Sequence, residues 1–344
     1  MTDGDEPSDT MRGRVPGSRI RVWLLMDANR WLVAAVLVLA VFGAIVVVGA
    51  VDPSPFRGDV SNKDPVETLF QAFVTAIITG VTLVVTINQL VLSQELGAVG
   101  DQRDRMEGAM SFRSDVEDLL DAPVSPPEPA QFLQALVEET RDRASTFADA
   151  VEDSTDETLR EHADDYVDSL TDNADEVADR LDGAEFGTFD VVSAALNYNY
   201  SWKIYEARRL RSEHADALSG EAEDALDSVV SALELFGPAR EHVKTLYFQW
   251  ELINLSRTIL YASVPALAVT AAVVLYLDAP AVTGATFGLD NLVWVVSLAT
   301  AVAVTPFMLL LAYVLRIATV AKRTLSIGPF ILRDRERTAD VDWE

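Results

Sequence analysis

The sequence predicts an all-α polytopic membrane protein, with four transmembrane helices and a cytoplasmic helical bundle inserted between spans two and three. Four stretches without charged residues are each long enough to cross a hydrocarbon core about 30 Å thick. The formal net charge of −27 is concentrated between the second and third stretch, since residues 93–252 contain 38 Asp and Glu against 13 Lys and Arg. Apolar residues recur in that acidic segment at helical steps of 3 and 4.

Residues 1–30 are predicted to form a cytoplasmic N-terminal tail. Residues 1–18 are polar, contain Gly and Pro and show no periodicity, so we expect disorder there and no signal peptide. Residues 18–30 place arginines around a short apolar run, a pattern typical of an amphipathic helix in the membrane interface. A simple anchor before the membrane explains this pattern equally well.

Residues 31–95 are predicted to contain transmembrane helices 1 and 2. The first span covers 31–51, and a polar loop with three prolines, 52–66, follows it. The small residues of the first span, which would allow close helix contact, are Ala40, Gly43, Ala44 and Gly49. The second span lies between Glu67 and Glu95, which enclose 27 uncharged residues.

The second span contains a polar stripe, whose members follow one another at steps of 4, 4, 3, 4, 3 and 4 and therefore share one helix face. A polar stripe along a whole span needs a partner, which is either another protein helix or water in a pore. One further step outward reaches Glu67. The candidate pore-lining residues are Glu67, Gln71, Thr75, Thr79, Thr82, Thr86, Gln89 and Ser93.

The sequence allows two interpretations of Glu67. In an oligomer, it would form a ring of carboxylates at the external mouth of a pore, and such rings favour cations. Alternatively, it is an acid in the first turn of a helix just after Pro65, where the helix dipole stabilises it.

Residues 96–252 are predicted to form the acidic cytoplasmic helical domain. Apolar stripes predict helices over 131–151, 156–181 and 189–211, with breaks at 123–129, 182–183 and 219–220. The narrow stripes suit a coiled-coil-like bundle. From Pro238 onward no helix breaker is evident, so we expect one helix to continue into the third span.

Residues 253–318 are predicted to contain transmembrane helices 3 and 4, over 258–277 and 292–315, and residues 319–344 a cytoplasmic C-terminal tail. Each of these spans contains one proline, Pro265 and Pro306. An internal proline removes a backbone hydrogen bond and tends to kink a helix. Both are therefore candidate hinges, although a static bundle tolerates the same kinks.

Basic residues flank the spans unevenly. The N-terminal tail, the segment after the second span and the C-terminal tail are rich in Arg, whereas the loop after the first span has only Arg57 and Lys63 and the loop 278–290 has no basic residue. The positive-inside rule then predicts a multi-pass protein of the cell membrane with both termini in the cytoplasm.

Catalytic and metal-binding motifs are absent from the sequence. There is no Cys, no glycine-rich phosphate loop and no G-x-S-x-G, and His162, His214 and His242 are isolated in sequence. We therefore expect no enzyme, no cofactor and no metal site. The spans lack ionisable residues, which argues against a proton-coupled carrier. The net negative charge excludes nucleic acid as a partner, and the basic cluster Lys203, Arg208, Arg209 and Arg211 is interpreted as ion pairs within the acidic domain.

Two resemblances add to these observations. The run INQLVLSQELGAVGDQRDRMEGAMSFRSDVE, residues 87–117, resembles an uncharacterised four-span haloarchaeal membrane protein family, and the use of 4 Lys against 23 Arg within an acidic chain is similar to haloarchaeal proteins. In molar salt the screening length is about 3 Å, so an acidic surface stays soluble despite its self-repulsion. The topology alone resembles bestrophin-type channels, in which the second span lines the pore; the Thr and Gln stripe differs from their apolar and aromatic constrictions.

The sequence therefore predicts an oligomeric channel-like integral membrane protein, with span two lining a polar pore. The expected partners are the lipid bilayer and further copies of the chain. The alternative is a non-conducting membrane scaffold or sensor, whose cytoplasmic helical bundle binds a protein partner and whose stripe only packs helices together. A carrier is the third class. The ion or substrate, the gating stimulus and the subunit number are not encoded in any motif of the sequence.

Overall fold

The structure is a computed structural model that describes residues 28–51, 64–185 and 187–323, together with Trp23. The chain divides into two compact units. We call residues 19–96 and 249–320 the apolar unit, and residues 97–248, grouped with both chain ends, the acidic unit. Most of the predicted interfacial helix, most of the loop 52–66 and the C-terminal tail beyond residue 323 lie outside the described residues.

Four helices in the described part of the chain are long and apolar enough to cross a membrane. They are α1 (Arg30–Val51), α2 (Asp64–Glu95), α8 (Gly220–Tyr276) and α9 (Asn291–Arg323). This confirms the predicted number of helices that could cross a membrane. Helix α9 extends eight residues beyond the predicted span, because residues 316–323 (RIATVAKR) contain no helix breaker.

Helix α8 has 57 residues and belongs to both units. It continues through Pro238 and Pro265 without a break, as the lack of a breaker after Pro238 predicts. Its acidic first turn, with Glu221 and Glu223, is favourable at the positive end of the helix dipole.

A small hairpin between α8 and α9 was not predicted. After a short 3-10 helix (Ala279–Ala281), strand β1 (Ala285–Thr286) pairs antiparallel with β2 (Leu289–Asp290). The two turn residues, Phe287 and Gly288, both have positive φ, at 54° and 79°. Such a two-residue turn is the usual hairpin connection, but Phe-Gly is not its common sequence, so the all-α prediction missed it.

Helix α2 packs through one apolar face in the apolar unit. Val66, Phe70, Ile77 and Val84 are buried at steps of 4, 7 and 7. Phe70 contributes to an apolar cluster with Leu292 and Val296 of α9, and Val84 to another with Leu255, Ile259 and Tyr313. Helix α2 is therefore held against both α8 and α9.

The small residues of α1 differ in their surroundings. A Cβ added at Gly49 would lie 2.8 Å from Val293 Cγ1 of α9, whereas Gly43 has open space around it. Close helix contact therefore requires a glycine at position 49 and does not explain the glycine at position 43.

The acidic unit consists of α3 (Val99–Leu119), α4 (Pro129–Glu152), α5 (Glu157–Leu181), α6 (Phe189–Asn197), α7 (Tyr200–Glu213) and the first part of α8. Helices α4 and α5 agree with the helices predicted over 131–151 and 156–181. The carboxylate of Asp156 caps α5, since it accepts hydrogen bonds from the backbone N–H groups of Thr158 and Leu159. Helix α3 was not predicted, because its exposed sequence has a weak apolar stripe.

The single helix predicted over 189–211 is wrong, because the chain breaks between α6 and α7. Asn173 of α5 is buried there, and its amide donates to the carbonyl of Asn197 and accepts from the N–H of Asn199, both at 3.0 Å. One buried side chain thus satisfies the backbone groups that the break exposes. The apolar spacing continues across the break, so periodicity alone could not reveal it.

The connection from α3 to α4 is held by polar side chains. The carboxylate of Glu117 accepts hydrogen bonds from the N–H and the hydroxyl of Ser125, both at 2.9 Å. Arg113 donates to the carbonyls of Ser125 and Pro126. The two hydrogen bonds from Ser125, followed by the charge of Arg113, lower the pKa of Glu117.

We predict that Glu117→Gln removes a pH-dependent part of the stability. The pKa of Glu117 is lower in the folded state, so the carboxylate stabilises the fold above the unfolded pKa of about 4.3, and this contribution is lost as pH falls through the folded pKa. The melting-temperature difference between wild type and variant should be largest near neutral pH and shrink below about pH 4, measured by circular dichroism in detergent. Glu107→Gln is the control, and an equal difference at both pH values would contradict the prediction.

Candidate functional site

The predicted polar stripe lies on the exposed side of α2. The seven stripe residues from Gln71 to Ser93 are all exposed in the chain, and Glu67 is half-buried. At about 100° per residue, the stripe is centred about 160° around the helix from the buried face of Phe70, Ile77 and Val84. The chain therefore does not bury the stripe against its own described helices.

The hydroxyl groups of the stripe are bonded within α2. Thr79 and Thr86 donate to the carbonyls of Thr75 and Thr82, four residues earlier, at 2.8 and 2.9 Å. Thr75 and Thr82 do the same, and Ser93 donates to a carbonyl three residues earlier. These hydroxyls therefore have a partner in any surroundings, whether water, lipid or protein.

The amide groups of the stripe differ from the hydroxyls. Gln71 donates to the carboxylate of Glu67 at 3.2 Å, so the outermost two members are linked. Gln89, at the other end of the apolar window Pro65–Leu90, is exposed. An amide has two donors and an acceptor oxygen, and within the described residues no bond to that side chain is present.

Apolar side chains flank the stripe on both sides of α2. Ile78 and Val85 lie about 60° to one side of its centre, and Leu83 and Leu90 about 70° to the other. These four side chains are 41% to 63% exposed. The exposed surface of α2 is therefore a polar band with an apolar border on each side.

The two candidate hinge prolines sit in different surroundings. Pro265 is exposed on α8, whereas Pro306 is buried in α9 and lines a cavity of about 10 Å³ together with Gly80 and Ser263. That volume corresponds to about one water molecule. Neither proline ends its helix, and their role as hinges stays a prediction.

A buried charge cluster joins three helices of the apolar unit. Arg30 at the start of α1 donates to Glu251 of α8 at 2.8 Å, and the Glu251 side chain is only 2% exposed. The Arg30 guanidinium also lies 5.0 Å from the ring centre of Tyr313 in α9. Arg316 of α9 is buried as well, and its positive charge interacts electrostatically with the carboxylate of Glu251.

This charge cluster belongs to no sequence motif and was not predicted. Glu251 was counted with the acidic segment, and Arg30 and Arg316 with the flanks that determine orientation. The sequence did contain a signal for an ion pair. Glu251 precedes the third span, Arg30 precedes the first span and Arg316 follows the fourth. Only the packing of α1, α8 and α9 makes them partners.

The basic cluster of α7 is paired, as interpreted, for three of its four members. Arg209 bonds Glu213 at 2.7 Å, Arg211 bonds Asp227 at 2.5 Å, and Lys203 lies 3.7 Å from Glu206. Lys203 is unexpectedly 1% exposed and also donates to Ser169. Beside this group, burial raises the pKa of Tyr166 well above its usual value, so that hydroxyl is neutral.

Two of the three histidines, although isolated in sequence, lie together in the fold. His162 of α5 and His214, directly after α7, lie 2.9 Å apart between ring nitrogens. Both are near Glu213, and the three side chains could hold a metal ion. The two histidines are 52 residues apart in sequence, so only tertiary structure brings them together. The argument from isolation against a metal site therefore no longer applies.

We predict that Glu251→Gln destabilises the apolar unit strongly, because the buried ion pair between Glu251 and Arg30 would be lost. Removing one partner of a buried ion pair costs about 3 kcal/mol or more. Glu107→Gln is the matched control, since the exposed pair of Arg103 and Glu107 contributes under about 1 kcal/mol. Thermal unfolding in detergent compares the two variants, and equal losses of stability would contradict a structural role for the cluster.

The comparisons with known proteins give one family. No curated protein and no solved structure matches the chain. The haloarchaeal origin and the resemblance to bestrophin-type channels therefore stay predictions. One family model covers residues 1–344. The chain thus belongs to the family of unknown function DUF7972.

Proposed function

We propose that the chain is the subunit of a homo-oligomeric, channel-like membrane protein in which the polar stripe of α2 lines a pore. The observation that carries the proposal is the position of the stripe. It faces away from the apolar face that holds α2 in its own chain. The chain thus presents these polar residues to whatever surrounds it.

Water is the surrounding that suits the whole stripe best. The threonines tolerate lipid, because their hydroxyls bond to their own helix. The exposed amide of Gln89 and the carboxylate of Glu67 do not, since an unpaired amide in hydrocarbon costs several kcal/mol and a charge costs more. A pore supplies water to both ends of the stripe and to the threonines between them.

The apolar borders of the stripe supply contacts between subunits. In a ring of α2 helices around an axis, each polar band faces the axis and each apolar border faces a neighbouring helix. Closed cyclic symmetry repeats the same contact in every subunit and leaves no border exposed to the pore. Ile78 and Leu83, on opposite borders, would lie at these contacts.

The charge cluster supports the topology of this proposal. It joins the start of α1, the region of α8 before its apolar part, and the end of the apolar part of α9. These three helix ends are on one side of the membrane in an alternating four-span topology. The arginines there suit the cytoplasmic side, which supports the proposed cytoplasmic position of the acidic unit.

The second candidate function is a non-conducting scaffold or sensor. The internally bonded threonine hydroxyls favour it, since such a stripe needs no water. Interhelical hydrogen bonds in membranes average only about 0.6 kcal/mol, so the stripe could equally be a modest contact between helices. The acidic unit would then bind a cytoplasmic protein partner.

We predict that Glu67→Gln reduces cation selectivity. The purified protein is reconstituted in planar bilayers, and the permeability ratio of K⁺ to Cl⁻ is measured at the lowest salt at which the protein stays folded, where charges are least screened. Wild type should favour K⁺, and the ratio should fall towards one in the variant, because a ring of carboxylates concentrates cations.

Asp278→Asn is the matched control, since this exposed carboxylate lies in the loop on the same predicted side but not on α2. It should leave the ratio close to that of wild type. A conducting wild type with unaltered selectivity in Glu67→Gln would overturn the carboxylate ring. A wild type without conductance in any salt or voltage tried would favour the scaffold.

A further inference from the structure

Three potential metal ligands converge on the surface of the acidic unit. His162 Nδ1 and His214 Nε2 are 2.9 Å apart, and one ligand atom of each histidine and of Glu213 lies within 4.8 Å of the other two. Their rings meet edge to face, with centres 5.1 Å apart. Two nitrogens bound to one tetrahedral zinc ion are separated by about 3.3 Å, given zinc–nitrogen bonds of about 2.0 to 2.1 Å. The observed separation of 2.9 Å is therefore only about 0.4 Å shorter than in a zinc site. Binding also requires the hydrogen-bond donor ring to carry its proton on its other nitrogen and both side chains to rotate, so that both lone pairs face the ion.

Secondary structure fixes both sides of this group. His162 lies in the first half of α5, next to the buried Ala163. His214 ends α7, where its N–H donates to the carbonyl of Leu210, and its carbonyl accepts from the N–H groups of Ala217 and Leu218. The backbone of His214 is thus held in the turn before α8, and only side-chain rotation is needed to adjust the ligands.

Glu213 is already oriented by a neighbour. Arg209 donates to Oε1 of Glu213 at 2.7 Å from one helical turn earlier. A carboxylate has a second oxygen, and metal-binding carboxylates are commonly held by such an outer hydrogen bond. The arginine charge opposes a cation, but the surrounding segment has 38 acidic against 13 basic residues and attracts one.

We propose that His162, Glu213 and His214 form a binding site for a divalent transition-metal ion such as Zn²⁺. Two imidazoles and one carboxylate suit Zn²⁺, Co²⁺, Ni²⁺ and Cu²⁺, whereas Mg²⁺ and Ca²⁺ prefer oxygen ligands throughout. Three protein ligands leave one tetrahedral position to water or to a group from a partner.

The bound ion would clamp α5 to the turn between α7 and α8. Helix α8 begins six residues after His214 and includes the third membrane-crossing helix. Metal binding would therefore stabilise the connection at the start of that helix. This inference does not rest on the pore, because the site is built only from residues of the acidic unit.

The experiment titrates Co²⁺ into the full chain in detergent and molar KCl, purified with a tag that contains no histidine. The visible absorption of Co²⁺ reports nitrogen ligands and low coordination number, so carboxylates elsewhere on the acidic surface stay silent. Wild type should bind one Co²⁺ per chain, and Zn²⁺ but not Mg²⁺ should displace it. His162→Ala and His214→Ala should each weaken binding at least about 100-fold, since even outer-shell changes cost 10- to 100-fold.

His242→Ala is the matched control, because this third histidine is exposed on α8 and lies outside the group; it should bind like wild type. Melting temperature with and without Zn²⁺ gives a second measurement, and only wild type and the control should gain stability. Equal Co²⁺ spectra in wild type and His162→Ala, or no band in either, would overturn the site and leave a hydrogen-bonded histidine pair. Either result leaves the channel proposal unaffected.

Discussion

The packing of one apolar face of α2 against α8 and α9 determines what the chain presents to its surroundings. Phe70, Ile77 and Val84 occupy that face and are almost fully buried. Because the polar stripe keeps the same helical spacing on the opposite face, burying one set exposes the other. The stripe could rotate inward only if the apolar face were pulled out of its contacts, which close packing disfavours. Every functional hypothesis for the chain must therefore account for a polar band facing outward.

Charged residues are also segregated along the chain. The membrane-crossing parts of the helices carry no ionisable residue, and the acidic unit carries nearly all the net charge. The cluster of Arg30, Glu251 and Arg316 borders these uncharged parts. Its carboxylate is nearly inaccessible to solvent and lies between helices. A buried ion pair is weak evidence for net stability. It defines which ends of α1, α8 and α9 lie together.

The sequence was sufficient for features that depend on local periodicity. The four apolar helices, helices α4 and α5, and the continuity of α8 follow from spacing and from the absence of breakers. Features that depend on tertiary contacts could not be predicted from the sequence. Asn173 stabilises a chain break 24 residues away. Arg30 bonds to Glu251, 221 residues away, and His162 contacts His214, 52 residues away. The membership of the stripe was predictable, whereas its exposure required knowing which face of α2 packs.

In the proposed oligomer, the outward face of α2 meets water on a symmetry axis. The chain contains no cysteine, so single cysteines can be introduced without background. We would compare labelling by a charged, water-soluble thiol reagent in membranes at Thr79→Cys in the stripe, Leu83→Cys on its border and Ile77→Cys in the buried face. We predict rapid labelling and cross-linking between chains at position 79, with little labelling at the other two positions. Labelling at position 79 no faster than at position 83 would contradict a water-filled pore.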